Sequence, residues 1–175
     1  MRTKFTQVMI DFETFGNGKN ACVVQIGAVW FDLTTGLTGQ SFSCNIDAED
    51  AVRNGAQIDA STVYWWLQQS EAARKSIGGQ GIKESLAFNQ FNTFLQGAEE
   101  VWSHATFDFV ILTETLKRLG IKPNFHYRAA RDIRTLLSLS PSKKEVLRDG
   151  THHNGLDDSM YQVKYCHEAW KALQK

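Results

Sequence analysis

In "QVMIDFETFG", residues 7–16, the apolar run Val8, Met9 and Ile10 leads into two carboxylates one residue apart, Asp11 and Glu13. Side chains at i and i+2 of a strand share a face. Asp11 and Glu13 therefore stand side by side at the edge of a core, which is unfavourable unless something positive lies between them. A lone D-x-E pair can also simply flank a turn. Further acids stand in matched contexts. Asp108 opens a helical stretch directly after a short strand, and Asp157 and Asp158 open the last helical stretch after "THHNGL". Each alone reads as a carboxylate stabilised by a helix N-terminus. Together, Asp11, Glu13, Asp108 and Asp158 offer four hard oxygen-bearing groups, which converge only if something cancels their charge. Oxygen-only ligation points to Mg²⁺ or Mn²⁺ and away from zinc. Two such ions about 3.5–4 Å apart form the usual clamp for displacement at phosphorus.

His153 lies five residues before Asp158 in "HHNGLDD". A histidine there is well placed as a general base, since its ordinary pKa of about 6.5 suits it to take a proton from water. His152 reads as a solvated neighbour. Asp157 reads either as a support for the ligands or as the helix cap.

These residues need a scaffold. Strand signals cover Gln7 to Glu13, Val23 to Asp32 and Gln40 to Ile46, with "TTGLTG" as the turn between the last two. This predicts an antiparallel meander. "STVYWWLQQSEAARKSI" has helical character with Ser61 as cap, and "GGQG" at 78–81 ends it. "KESLAFNQFNTFLQG" carries Leu86, Phe91, Phe94 and Leu95 on one stripe. "EVWSH" is a short strand. "TFDFVILTETLKRLG" is a helix with Thr106 as cap and Gly120 as its stop. "FHYRAARDIRTLLSLS" is extended and then helical, and "DDSMYQVKYCHEAWKAL" is the last helix. A meander followed by alternating helix and strand predicts an α/β fold, a mixed sheet with helices on both faces.

Bulk properties narrow the class. The chain has 175 residues, 42% hydrophobic and 22% charged, as expected of one globular domain spanning 1–175. No apolar run approaches membrane-spanning length and no signal-peptide pattern follows Met1-Arg2, so a cytoplasmic protein with no membrane partner is the default expectation. Cys22, Cys44 and Cys166 are scattered and odd in number, which reads as reduced, partly buried thiols. Net charge is zero, yet nine basic residues lie between Lys117 and Arg148 against only Asp132 and Glu145. That run is either a solvated face or a patch that guides a phosphate backbone.

"DFET" at 11–14, "SHATFDFVIL" at 103–112 and "HHNGLDD" at 152–158 resemble, in order and separation, the three exonuclease motifs of the DnaQ-like DEDDh 3′→5′ exonucleases. "STVYWWLQQSEAARKSI" and "RDIRT" at 131–135 resemble the phage-encoded branch, which includes exonuclease A of large tailed phages, and related bacterial exoribonucleases. The resemblance implies a ribonuclease H-like fold with a five-stranded mixed sheet whose first three strands are antiparallel. It implies Asp11, Glu13, Asp108 and Asp158 as ligands of two Mg²⁺ or Mn²⁺ ions, and His153 as general base. It places Thr14 and Phe15 against the terminal nucleotide. Many relatives have His-Asn where Ser103-His104 stand here; His104 reads as a hydrogen-bonded structural histidine.

The activity so implied is hydrolysis at the 3′ end of single-stranded nucleic acid, releasing nucleoside 5′-monophosphates. DNA is favoured from the phage branch, and RNA is the alternative. A catalytically silent binding module is a third reading, which the complete carboxylate set opposes. Relatives include dimers, which leaves a homodimer open. Tyr64, Trp65 and Trp66 cover a wide arc of their helix, so at least one is core. Trp65 or Trp66 facing the cleft would stack on an unpaired base, worth roughly 1–3 kcal/mol. Phe12 and Phe107 read as packing. Asp132 reads as a helix cap, and of its neighbours Arg131 and Arg134, one binds Asp132 or a phosphate; Arg131 is the candidate substrate contact.

Overall fold

A computed structural model describes residues 5–142 and 146–174. Met1 and Arg2, and Lys143, Lys144 and Glu145 of the basic run, lie outside the described residues. The order is β1 (Gln7–Thr14), β2 (Val23–Phe31), β3 (Thr38–Asn45), α1 (Ala48–Arg53), α2 (Ala60–Leu67), α3 (Glu71–Ile77) and α4 (Glu84–Phe94). Then come β4 (Glu100–Ser103), α5 (Asp108–Arg118), a 3₁₀ turn, β5 (Ala130–Asp132), α6 (Ile133–Leu139) and α7 (Gly155–Leu173). The sheet runs β3-β2-β1-β4-β5. β1, β2 and β3 pair antiparallel, while β4 pairs parallel to β1 and β5 parallel to β4. The expected five-stranded mixed sheet is therefore present.

Burial explains why β2 lacks alternation. It is covered on both faces, so eight of its nine residues are buried. On one face of β1, Val8, Ile10 and Phe12 join Phe88, Phe91, Leu112 and Leu116 of α4 and α5. On the other, Met9 joins Val29, Phe31, Ile133 and Val163 against α6 and α7. Asp11 and Glu13 follow Met9 in register and so face α7, while Phe12 packs edge-on to Phe88 and Phe91 at 6.1 and 5.8 Å. The β2–β3 turn is built by Asp32, whose Oδ1 accepts from Thr34 N, Thr34 Oγ1 and Thr35 N. Gly36 completes it in the left-handed region at φ 70°.

One close approach sets the site. At Gly27 of β2 an added Cβ would lie 1.9 Å from the carbonyl carbon of Gly155, the first residue of α7. Ser159 Oγ donates to Gly27 O (3.1 Å), and Gly155 N donates to Gln25 Oε1 (2.7 Å). The start of α7 is thereby pressed onto the sheet. Backbone cannot yield as a flexible side chain can, so Gly27→Ala is expected to cost at least ~3 kcal/mol. In a chain of this size that lowers the thermal midpoint by about 6–12 °C. An alanine variant melting with the wild type would show that this contact does not hold α7.

Four sequence expectations are corrected. The single helix over 61–77 is two, α2 and α3, because Ser70 Oγ accepts from Ala73 N and starts a new helix. Ser61 does not cap α2; Asp59 holds the N-cap position, and its carboxylate accepts from Asn17 N instead. Thr106 does not cap α5, which begins after Phe107 with Asp108 in its first turn. In α4 the core stripe is Ala87, Phe88, Phe91 and Leu95, leaving Leu86 exposed. The unforeseen helix α1 is capped by Asp47, which accepts from Glu49 N and Asp50 N. Cys22 and Cys166 are buried free thiols and Cys44 is half-buried. No described helix is long and apolar enough to cross a membrane.

Candidate active site

Asp11 and Glu13 from the end of β1 and Asp158 from the first turn of α7 bring one carboxylate oxygen each within 4.8 Å of the others. The β1 pair owes this to strand periodicity, and Asp158 owes it to the Gly27–Gly155 approach. Asp108 is the fourth acid and stands outside that triangle. Its Oδ1 accepts from Phe12 N (3.0 Å) and its Oδ2 from His104 N (3.2 Å), so two backbone donors aim it from the start of α5.

Burial and crowding act on these acids. Glu13 is pushed up to about 8, first by burial and then by the charges of Asp158 and Asp108, with Arg148 opposing. Burial raises Asp108 to about 7, against the pull of its backbone donors. Burial, then Asp108, Glu13 and Asp158, hold Asp11 well above the carboxylate range. Glu13 Oε1 is buried with no hydrogen-bond partner. An orphaned carboxylate oxygen beside two other carboxylates is a poor arrangement for protein alone and a fitting one for a cation. Hard oxygen donors match a divalent ion such as Mg²⁺ or Mn²⁺.

Neighbouring side chains orient the acids. Gln162 Nε2 donates to Asp11 Oδ1 at 2.6 Å, one turn of α7 beyond Asp158. His153 N donates to Asp158 Oδ2 (3.2 Å), and Arg148 Nη1 is paired with Asp158 Oδ1. His153 has φ 61°, the one non-glycine residue with positive φ among the described residues. Such a conformation costs on the order of 1–3 kcal/mol and persists only where surroundings enforce it. Here Asp158 takes its N–H, and its carbonyl accepts from Ser76 Oγ of α3 (3.0 Å). The ring stacks on exposed His152 (3.8 Å) and meets the edge of Trp65 at 4.8 Å and 81°. Burial, then His152, lowers its pKa from the usual histidine value, with Asp158 opposing.

A cleft of about 430 Å³ opens beside Glu13, lined by Thr14, Asn17, Thr62, Trp65, Trp66 and Phe107 among others. The structure separates the two tryptophans. Trp66 is 4% exposed and its Nε1 donates to Thr14 O (2.8 Å), so it is the core member of the pair. Trp65 is 41% exposed and presents its ring between the cleft and His153.

Two expected substrate contacts lie elsewhere. Phe15 meets Trp66 edge-on at 6.5 Å and lines a second hollow with Val24, Ile46 and Ile77. Arg131 is bound to Glu100 (3.1 Å) and to the carbonyls of Arg128 and Ala130. Glu100 opens β4 opposite Gln7, whereas the acids lie at the far end of β1, so Arg131 points away from them. Asp132 caps α6, accepting from Thr135 N at 2.8 Å. His104 is half-buried, with Nδ1 4.0 Å from Asp108 Oδ2. Asp157 does not cap α7; Asn154 does, and Asp157 accepts from Thr151 N.

Among the described residues, three arginines of the basic run are bound to separate acids. Arg118 pairs with buried Glu84 (2.7 Å), Arg131 with Glu100 and Arg148 with Asp158. Gln162 and Arg148 are site residues that the motifs do not contain. Gln162 is detectable in the sequence, since i and i+4 share a helix face and Asp158 lies four residues before it. Arg148 precedes its helix in a loop and carries no such signal.

Comparison with known proteins gives the fold and the family. The chain is 25% identical over 125 residues to the exodeoxyribonuclease of Enterobacteria phage T4, covering 62% of this chain and 55% of that protein. E. coli Exonuclease I, solved in complex with a dT13 oligonucleotide, superposes with a TM-score of 0.72 at 12% identity over 98% of this chain and 42% of that one. Exonuclease I from Methylocaldum szegediense gives 0.66 at 16% identity, covering 97% and 41%. These neighbours establish the ribonuclease H-like fold, and the chain spans about half the length of the curated relative it matches. Residues 6–170 match the family described as the 3′-5′ exoribonuclease Rv2179c-like domain. On that match, over nearly the whole chain, the protein belongs to the Rv2179c-like branch of the DnaQ-like 3′-5′ exonucleases.

Proposed function

We propose that the chain acts as one metal-dependent 3′→5′ exonuclease domain on single-stranded nucleic acid, with DNA as its first substrate. The observation that carries this is the convergence of Asp11, Glu13 and Asp158 within 4.8 Å, with Glu13 Oε1 unpartnered, beside His153 in its left-handed backbone conformation. Asp11, Glu13, Asp108 and Asp158 would hold two Mg²⁺ or Mn²⁺ ions. When bound, such ions neutralise charge at phosphorus and acidify water. The protein's own groups do the rest. His153 takes the proton of the attacking water. The water oxygen bonds to phosphorus as the P–O3′ bond breaks, and O3′ leaves with the electron pair and takes a proton from solvent, giving a nucleoside 5′-monophosphate and a 3′-hydroxyl strand shortened by one. Thr14 and the Trp65 face border the space for the terminal nucleotide, and Trp65 stacks on its base.

RNA is the second reading, favoured by the matched family's description as exoribonuclease-like. The phage relative, an exodeoxyribonuclease, favours DNA. The experiment that separates them follows matched 5′-labelled DNA and RNA strands with Mg²⁺, Mn²⁺ or EDTA. A metal-dependent ladder on DNA, shrinking from the 3′ end, supports the first reading, and the same ladder on RNA alone transfers the activity to RNA. No cleavage of either strand sinks both and leaves a binding module. The molar mass of the active species decides whether a homodimer carries the activity.

A further inference from the structure

Arg148 is the one basic residue that ion-pairs with any of the four site acids through an arginine or lysine side chain, among the described residues. It occupies Asp158 Oδ1, an oxygen of the residue that closes the carboxylate triangle. Its charge is also felt at Glu13 and at His153. The guanidinium carbon lies 4.4 Å from the centre of the Tyr161 ring, one turn of α7 beyond Asp158. Two supports therefore hold the group: a carboxylate on one side and an aromatic face beneath. Its side chain is 28% exposed, so it stands at the rim of the site.

A cation of the protein's own, bound to a carboxylate of the acidic triangle, serves the metal-free state. It compensates part of the repulsion among buried acids. It cannot keep that oxygen once a divalent ion takes it, and the Tyr161 face then remains as its pivot. The nearest new anion is the phosphate that reacts beside His153. Arginine suits that exchange, because its planar fork matches carboxylate and phosphate alike. Resting on the site reading above, we propose that Arg148 is a phosphate-binding residue of the reaction, held on Asp158 until metal and strand displace it.

The test uses the full chain with Arg148→Met, which removes the charge at similar length, and Arg148→Lys, which keeps the charge without the fork. Calorimetric titration with Mn²⁺ alone is expected to show the methionine variant binding several-fold tighter than wild type, since its competitor is gone. With single-stranded DNA its KM is expected to rise about 10- to 100-fold, the range of a lost charge-assisted contact. Its dependence of log kcat/KM on log salt becomes shallower by about 0.7, one phosphate's share on a single strand. The lysine variant recovers most of the salt slope and only part of KM. Unchanged KM and salt slope in the methionine variant overturn the phosphate role, and unchanged Mn²⁺ affinity overturns the displacement. If methionine impairs folding, seen as a lowered thermal midpoint in Mn²⁺, the lysine variant alone tests the role: a raised KM supports it and a wild-type KM overturns it. Wild-type protein that binds no Mn²⁺ and degrades no strand removes the site reading itself, an outcome distinct from an active wild type with indifferent variants.

Discussion

Asp11→Asn is expected to lower 3′-end hydrolysis by roughly 10³-fold or more while raising the thermal stability of the metal-free protein. The first effect follows from the proposed role of Asp11 as a ligand of the charge-stabilising ions. The second follows from burial. Asp11 is held well above its ordinary pKa by desolvation and by Asp108, Glu13 and Asp158. An amide of the same shape carries neither cost. Wild-type rates in the variant, or a lower melting point in EDTA, would remove Asp11 from the metal site.

Glu13→Gln should act alike, and its pH dependence has a defined sign. Glu13 is raised from 4.5 to about 8 in the folded protein. Below pH 4.5 it is neutral in both states and costs the fold nothing. As pH rises from 4.5 through about 8, the unfolded chain releases the proton first, and the metal-free fold loses stability over that interval. Asp108, raised to about 7, adds to the loss in the same direction. Melting in EDTA at about pH 5.5, 7 and 8.5 should thus show the glutamine variant gaining on wild type as pH rises. Mn²⁺ should then stabilise wild type most at the alkaline end. A wild-type to variant gap that stays constant with pH would mean that burial and the neighbouring acids do not raise Glu13.

His153→Asn is expected to lower kcat by about 10²- to 10⁴-fold, the usual contribution of a positioned base. Asparagine tolerates the left-handed region that the backbone adopts at φ 61°, so the loop keeps its shape. The N–H to Asp158 and the carbonyl bond from Ser76 are main-chain contacts and survive the change. Loss of rate would then report the ring alone. Burial and His152 lower the His153 pKa, so the active, unprotonated form persists into mildly acid solution. Wild-type kcat should hold below the ordinary histidine value of 6.5 and fall only further into acid, and the asparagine variant should lack that limb. A variant with wild-type kcat, or with the same acid limb, would assign the base elsewhere.

These results draw on different parts of the chain's logic. Asp11 and Glu13 are legible because strand periodicity is local: an apolar run with acids at i and i+2 puts both on one face whatever the rest of the fold does. The meander is legible for the same reason, since Asp32 and Gly36 build its turn from adjacent residues. Asp158 and Asp108 are recognisable as helix-start acids, and the order of the three motifs marks the family.

The division of labour among aromatics is not local. Trp65 and Trp66 are equivalent in sequence, and only the packing of α2 against β1, with Trp66 bonded to Thr14 O, buries one and leaves the other at the cleft. The packing of Phe15 on Trp66 and the pairing of Arg131 with Glu100 are not legible locally, because these partners are distant along the chain. Gln162 reaches Asp11 only through the docking of α7 at Gly27, whereas Arg148 meets Asp158 from the loop that leads into α7. Periodicities of two and about 3.6 residues, written into the chain, dictate which acids can meet. Their charge, orientation and neutralisation belong to the folded molecule, because burial and long-range hydrogen bonds arise only when β1, α5 and α7 come together.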